Sequence, residues 1–103
     1  MCRKTHGTAF ATYLGVSRSE FRWISGETSV QSYESSPGHP RPFCPRCGSV
    51  VAGPGLPGPL VFMPAGNLDG ELRKELDAHT YVGSKAPWFE ITDDLPQFDE
   101  MPT

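Results

Sequence analysis

The sequence predicts a small, mainly β fold: a β sandwich or folded-over sheet carrying a C-x-x-C knuckle. Three observations lead there. Glycine and proline supply 11 residues each in a chain of 103, and helix interiors exclude both. Short runs rich in aromatic and β-branched residues recur between clusters of turn formers, the punctuation of short strands. Cys44 and Cys47, in the stretch Phe43-Cys44-Pro45-Arg46-Cys47-Gly48-Ser49, have C-x-x-C spacing on a turn, and flanking short strands make it a β-hairpin knuckle.

Taken in order, Ala9 to Val16 reads as a first strand. Ser17-Arg18-Ser19-Glu20 has the S-x-x-E form of a capping box. The alternating Phe21-Arg22-Trp23-Ile24-Ser25 that follows, stopped by Gly26, instead predicts a tight turn into a second strand. Glu27 to Ser35 is a third, weaker strand, and Ser36-Pro37-Gly38-His39-Pro40 is a turn. Arg41-Pro42-Phe43 leads into the cysteine pair and Ser49-Val50-Val51-Ala52 leads out. Gly53 to Pro59 is a surface loop, and Leu60 to Met63 a short buried strand. Glu71 to Ala78 holds the best helix formers, about two turns, too short to stand alone. His79 to Lys85 is a further strand candidate, and beyond Ala86 the chain is proline-interrupted and acidic. Five or six short strands result. Neither a repeat nor a linker divides them, so residues 1–103 are expected to be one domain.

Composition excludes several classes of function. The net charge of −3 makes no electrostatic case for nucleic acid or an anionic membrane. No apolar run approaches the roughly 20 residues of a membrane span, and Met1-Cys2-Arg3-Lys4 does not open a signal peptide. A cytoplasmic protein is the default expectation. Six Phe, three Tyr and two Trp supply the bulk for a core, and Trp23 and Trp88 are expected to pack in it. Hydrophobic residues nevertheless reach only 37%, so a staple beyond the core is expected.

The cysteines supply a candidate. Three thiols in a reducing compartment argue for metal rather than disulfide. C-x-x-C on a turn puts both sulfurs on one side, at two corners of a tetrahedral zinc site, and Gly48 lets the chain fold back beneath the metal. A C-P-x-C redox motif needs a helix starting at its first cysteine, and the β-prone Ser49-Val50-Val51 leaves none available. A closed site needs four ligands. Cys2 is a candidate third, with His6, His39 or His79 as candidate fourth.

Cys2-Arg3-Lys4-Thr5-His6-Gly7, Phe10, Phe21-Arg22-Trp23, Gly26, Ser35-Ser36-Pro37-Gly38, Arg41-Pro42-Phe43-Cys44-Pro45-Arg46-Cys47-Gly48-Ser49, Gly66-Asn67-Leu68-Asp69, His79, Ser84-Lys85-Ala86-Pro87-Trp88 and Leu95-Pro96 occur in this order. In that order they resemble the glutathione-dependent formaldehyde-activating enzyme family (GFA, or CENP-V/GFA domain) over nearly the whole chain. The resemblance implies an Mss4-like β fold. It also implies that Cys44 and Cys47 match the C-x-x-C which, with an opening C-x-C pair, holds a structural zinc. Cys2, followed by Arg3-Lys4, matches the last cysteine of a C-H-C-x-x-C-R-K block whose three thiolates hold a catalytic zinc with an open position. Met1 stands where many members carry Met. The chain is therefore expected to begin inside its own second zinc motif, either because the start is an internal Met or because the protein is a shortened relative.

The implied activity is a carbon–sulfur lyase reaction joining the glutathione thiol to formaldehyde as S-hydroxymethylglutathione. Cys2 would be a ligand and not the nucleophile, and no catalytic residue is assigned. Arg3, Lys4 and Lys85 are candidates to pair with the carboxylates of glutathione, and His79 is the first choice for a site-facing histidine. With one of the three catalytic thiolates present, the 103-residue form is expected to be inactive. The competing reading is a non-catalytic Mss4-like zinc-binding or interaction module. A homodimer sharing one S₄ zinc site, each copy giving Cys44 and Cys47, is the further expectation for partners.

Overall fold

The computed structural model describes residues 2–52 and 58–102. Its regular structure is small antiparallel sheets with little helix, as the composition predicts. Four strands form two separate two-stranded sheets: β1 (Tyr13–Ser17) pairs with β4 (Leu60–Pro64), and β2 (Gln31–Ser36) with β3 (His39–Phe43). One short helix, α1 (Cys2–His6), stands at the start of the chain. Gly7 ends it with a left-handed φ of 67° while donating its N–H to the Arg3 carbonyl at 2.8 Å, the usual glycine stop.

The chain falls into two compact units, one of Met1–Ala11 with Glu71–Thr103, the other of Thr12–Gly70. All four strands belong to the second. In β1–β4 the register sets Gly15 opposite Phe62 and Val16 opposite Val61. A Cβ at Gly15 would stand 3.3 Å from the Phe62 ring, so the bare backbone is what lets that ring lie close. Val61 is buried while its neighbours Leu60 and Phe62 are exposed. The strand expected to be buried throughout is thus half-buried, alternating as one-sided sheets do.

The β2–β3 hairpin turns at Pro37-Gly38, inside the expected Ser36-to-Pro40 turn, while His39 and Pro40 instead open β3. Gly38, at φ 77°, donates its N–H to Glu34 Oε1 at 3.1 Å, and a register shift between Glu34 and Ser36 accommodates the turn. β3 contains two prolines yet pairs along its length. Pro42 O accepts from Val51 N–H on the side away from β2. The N and O of one residue share a side of a strand and the side alternates with period two. Both missing donors, at Pro40 and Pro42, therefore fall on that outer edge.

Three expected elements do not form. Phe21–Ser25 has the alternation of a strand but no partner. Instead the Phe21 and Trp23 rings, on the same side of extended backbone, meet edge to face at 5.8 Å. The S-x-x-E stretch before it is a 3₁₀ turn, Arg18–Glu20, with no side-chain cap, as the tight-turn reading has it. Glu71–Ala78 is not helical: Leu72 and Leu76 are exposed, so no buried apolar face offsets the cost of nucleating two turns. Its Lys74–Asp77 ion pair at 3.0 Å is fully on the surface and contributes little. His79–Lys85 is not a strand either. Tyr81 takes a left-handed φ of 57° and a 3₁₀ turn (Val82–Ser84) follows. The count of five or six strands falls to four among the described residues, and most of the expected Gly53–Pro59 loop lies outside them.

The segment 79–83 is still held by backbone bonds to the chain's last stretch. His79 forms a parallel bridge with Gln97; His79 N–H donates to Pro96 O and Phe98 N–H to His79 O, both at 2.9 Å. In the same unit the Phe10 and Phe89 rings meet at 5.1 Å. Among the described residues the buried apolar side chains are Ala52, Val61 and Ala86. Two of these are alanines, which is little apolar area for a domain to stand on. No helix among the described residues is long and apolar enough to cross a membrane.

Candidate functional site

The cysteine turn is built by local backbone bonds. Cys44 N–H donates to Ser49 O at 2.8 Å, and Gly48 N–H returns to Cys44 O at 2.7 Å. Phe43 bridges Val50 on leaving β3, and Val51 N–H donates to Pro42 O. Residues 45–47 are a turn and no helix follows Cys44, as the reading against a redox motif requires. Gly48 sits at φ 79°, where a side chain is strained although the space around it is open. Gly48→Ala is accordingly expected to cost about 1–2 kcal/mol from backbone conformation alone, read as a lower urea midpoint. Gly48→Asn, better tolerated at positive φ, should recover part of it.

Neither Cys44 nor Cys47 is in a disulfide; Cys44 is half-buried and Cys47 exposed. The Cys47 thiol donates to Ser49 Oγ at 3.1 Å. As a thiolate, Cys47 accepts from the Ser49 hydroxyl first, then from the Ser49 N–H and from Cys44, and these bonds hold its pKa below the ordinary thiol value. A side chain 17 residues on completes the support: Asn67 Nδ2 donates to Val50 O at 2.9 Å, tying the outgoing arm to the turn after β4. Sequence reasoning assigned neither Ser49 nor Asn67 a role. Ser49 was findable by its position two after Cys47, whereas Asn67 stood out only within the Gly66-Asn67-Leu68-Asp69 block.

Two thiols held on one turn, one of them biased toward thiolate, suit two corners of a tetrahedral zinc shell. Among the described residues no group of three or more His, Cys, Asp or Glu side chains comes together to hold a metal. The candidate histidines are dispersed: His6 ends α1, His39 opens β3, and His79 faces a carboxylate. Cys2, Arg3 and Lys4 stand together on α1, Arg3 half-buried and Lys4 exposed, in the unit that also holds His79 and Lys85. Cys44 and Cys47 belong to the other.

His79 Nε2 lies 3.0 and 2.9 Å from the two carboxylate oxygens of Asp93, and Leu95 N–H donates to the same carboxylate at 2.9 Å. An ionised carboxylate only accepts, so Nε2 carries the proton. The His79 bond, then the Leu95 N–H, hold the Asp93 carboxyl below its ordinary range. A depressed carboxylate contributes stability that is complete above its unfolded pKa and fades as pH falls through the folded one. Asp93→Asn should therefore flatten the acid limb of stability. The gap between wild type and variant in urea midpoint should close as pH drops below about 4.

Lys85 is anchored by its own backbone, Nζ donating to Phe89 O at 2.8 Å and more weakly to Ala86 O at 3.4 Å. Trp88, expected in the core, is instead 69% exposed, while Trp23 is half-buried beside Phe21.

No curated protein and no solved structure gives a significant match to the chain. The family model for the glutathione-dependent formaldehyde-activating enzyme matches residues 1–84, a span that takes in α1, all four strands and the cysteine turn, and the chain belongs to that family.

Proposed function

We infer that the protein is a zinc-binding relative of the carbon–sulfur lyases that join glutathione to formaldehyde as S-hydroxymethylglutathione, and that these 103 residues, with Cys2 as the one thiolate of the catalytic set, need further ligands before they can catalyse it. The family match over residues 1–84 carries this reading. The thiol loses its proton and its sulfur attacks the aldehyde carbon; a C–S bond forms, the C=O π pair moves to oxygen, and that oxygen takes a proton. When bound, zinc supplies charge that favours a thiolate near neutral pH and polarises an aldehyde oxygen.

Cys44 and Cys47 would hold a structural zinc on the knuckle of an Mss4-like sandwich, and Cys2 would be one thiolate ligand of a second, catalytic zinc. Arg3, Lys4 and Lys85 would pair with the glutathione carboxylates. With Nε2 engaged by Asp93, the role of His79 narrows to its Nδ1. A second copy of the chain can donate the same cysteine pair and close an S₄ shell, the basis for proposing a homodimer.

Two measurements on the purified protein test this. Native mass spectrometry counts zinc and chains. NMR exchange spectroscopy with ¹³C-formaldehyde and glutathione reads the formation rate of S-hydroxymethylglutathione. Acceleration in proportion to protein supports the lyase. Bound zinc with no acceleration leaves the non-catalytic module.

A further inference from the structure

The first unit contains a wide-open surface cleft of about 530 Å³. Its lining includes Lys85, Trp88, Phe89, Glu90 and Gln97. Two opposite charges thus share one cleft, yet among the described residues neither Lys85 nor Glu90 has an ion-pair partner. The Lys85 ammonium is instead held by two carbonyls, which fix its position and leave its charge uncompensated. Beside them the Trp88 indole is 69% exposed and meets no other ring among the described residues. An indole face attracts cations, and an exposed Trp is a large apolar surface left in water.

This set matches one ligand chemistry. A fixed ammonium takes a carboxylate; a carboxylate and an indole lining the same cleft take an ammonium; and the Gln97 amide can serve either group. A ligand with both charges on one carbon, an α-amino acid head, satisfies all of them together. We propose that this cleft binds the zwitterionic glutamyl end of the thiol tripeptide, the Lys85 ammonium taking its α-carboxylate and Glu90 with Trp88 its α-ammonium. The inference rests on the glutathione reading above, and adds to it which end of the substrate is recognised and by which residues.

The test uses the full chain and γ-glutamyl-alanyl-glycine, which carries both charges but has no sulfur to bind metal or react with formaldehyde. The expected result is a saturable shift of the Trp88 indole N–H resonance, identified by its loss in Trp88→Phe. Lys85→Met and Glu90→Gln should each weaken binding about tenfold, as loss of a charged hydrogen bond does. Lys85→Arg should retain most of it. N-acetylating the probe should weaken wild type by the same factor and leave Glu90→Gln unaffected, which a merely structural role for Glu90 would not produce.

Absence of a Trp88 shift, or a shift whose affinity neither variant changes, overturns the proposal. The exchange measurement separates this from the catalytic reading. Catalysis with no Trp88 shift and an unmoved KM in the variants removes the cleft alone. Probe binding that the variants weaken, without catalysis, keeps the cleft and removes the lyase.

Discussion

Replacing Cys44 by serine is expected to release the zinc proposed for this turn and lower the melting temperature by about 10 °C or more. Cys47→Ser should do the same. The size follows from how little else holds this region together. In the unit that holds the turn, the buried apolar side chains among the described residues are Ala52 and Val61. A structural zinc contributes on the order of 10 kcal/mol of apparent binding energy at neutral pH. Losing even about 3 kcal/mol of it moves the melting point of a domain this size by more than ~10 °C. Two controls isolate the metal. A chelator should bring wild type down to the level of the serine variants and leave those variants where they are. Ser49→Ala, which removes the hydroxyl bonded to Cys47 but no ligand, should produce a much smaller fall. A wild type whose melting point is the same with and without zinc would remove the metal from this turn.

That turn was legible in the sequence because everything that shapes it is local. The bonds from Cys44 to Ser49 and from Gly48 to Cys44 close within six residues, and Gly48 supplies the positive φ that its position asks for. The Ser36–Pro40 turn was legible for the same reason. Elsewhere, local preference met no tertiary partner. Glu71–Ala78 holds good helix formers, yet Leu72 and Leu76 remain in water and the helix does not form. The strand pattern of His79–Lys85 is broken by Tyr81 in a conformation that side chains rarely adopt. α1 was missed because five residues carry no periodicity to read. The pairs that matter most at the candidate sites are long-range: Asn67 with Val50, and His79 with Asp93, 14 residues apart. Neither spacing is a motif. Trp88 shows the same limit: hydrophobicity predicts burial, and only the fold reveals that the indole stays mostly exposed.

Ala86→Leu is expected to have the second largest effect, for the opposite reason: there is no room. Ala86 is the one fully buried side chain of the segment between Lys85 and Trp88, at 0% exposure, in a row of exposed neighbours. Its carbonyl accepts the Phe89 N–H at 3.2 Å and a weaker bond from Lys85 Nζ, so it forms the inner corner of the turn that holds the Lys85 ammonium. Three added carbons must displace backbone, which costs about 1–3 kcal/mol, or a melting-point fall on the order of 10 °C. Hydrogen exchange should locate the damage, with faster exchange at the Phe89, Val82 and Phe98 amides. Lys74→Ala, which breaks an exposed ion pair in the same unit, should change stability by no more than about 0.5 kcal/mol. The functional consequence separates position from composition. Ala86→Leu keeps Lys85, Trp88, Glu90 and Gln97 in the chain, so the zwitterionic tripeptide should be lost only if recognition depends on the turn that fixes Lys85. Binding that survives the substitution would mean that a freely moving lysine is sufficient, and that the two carbonyl bonds to its ammonium serve only the fold.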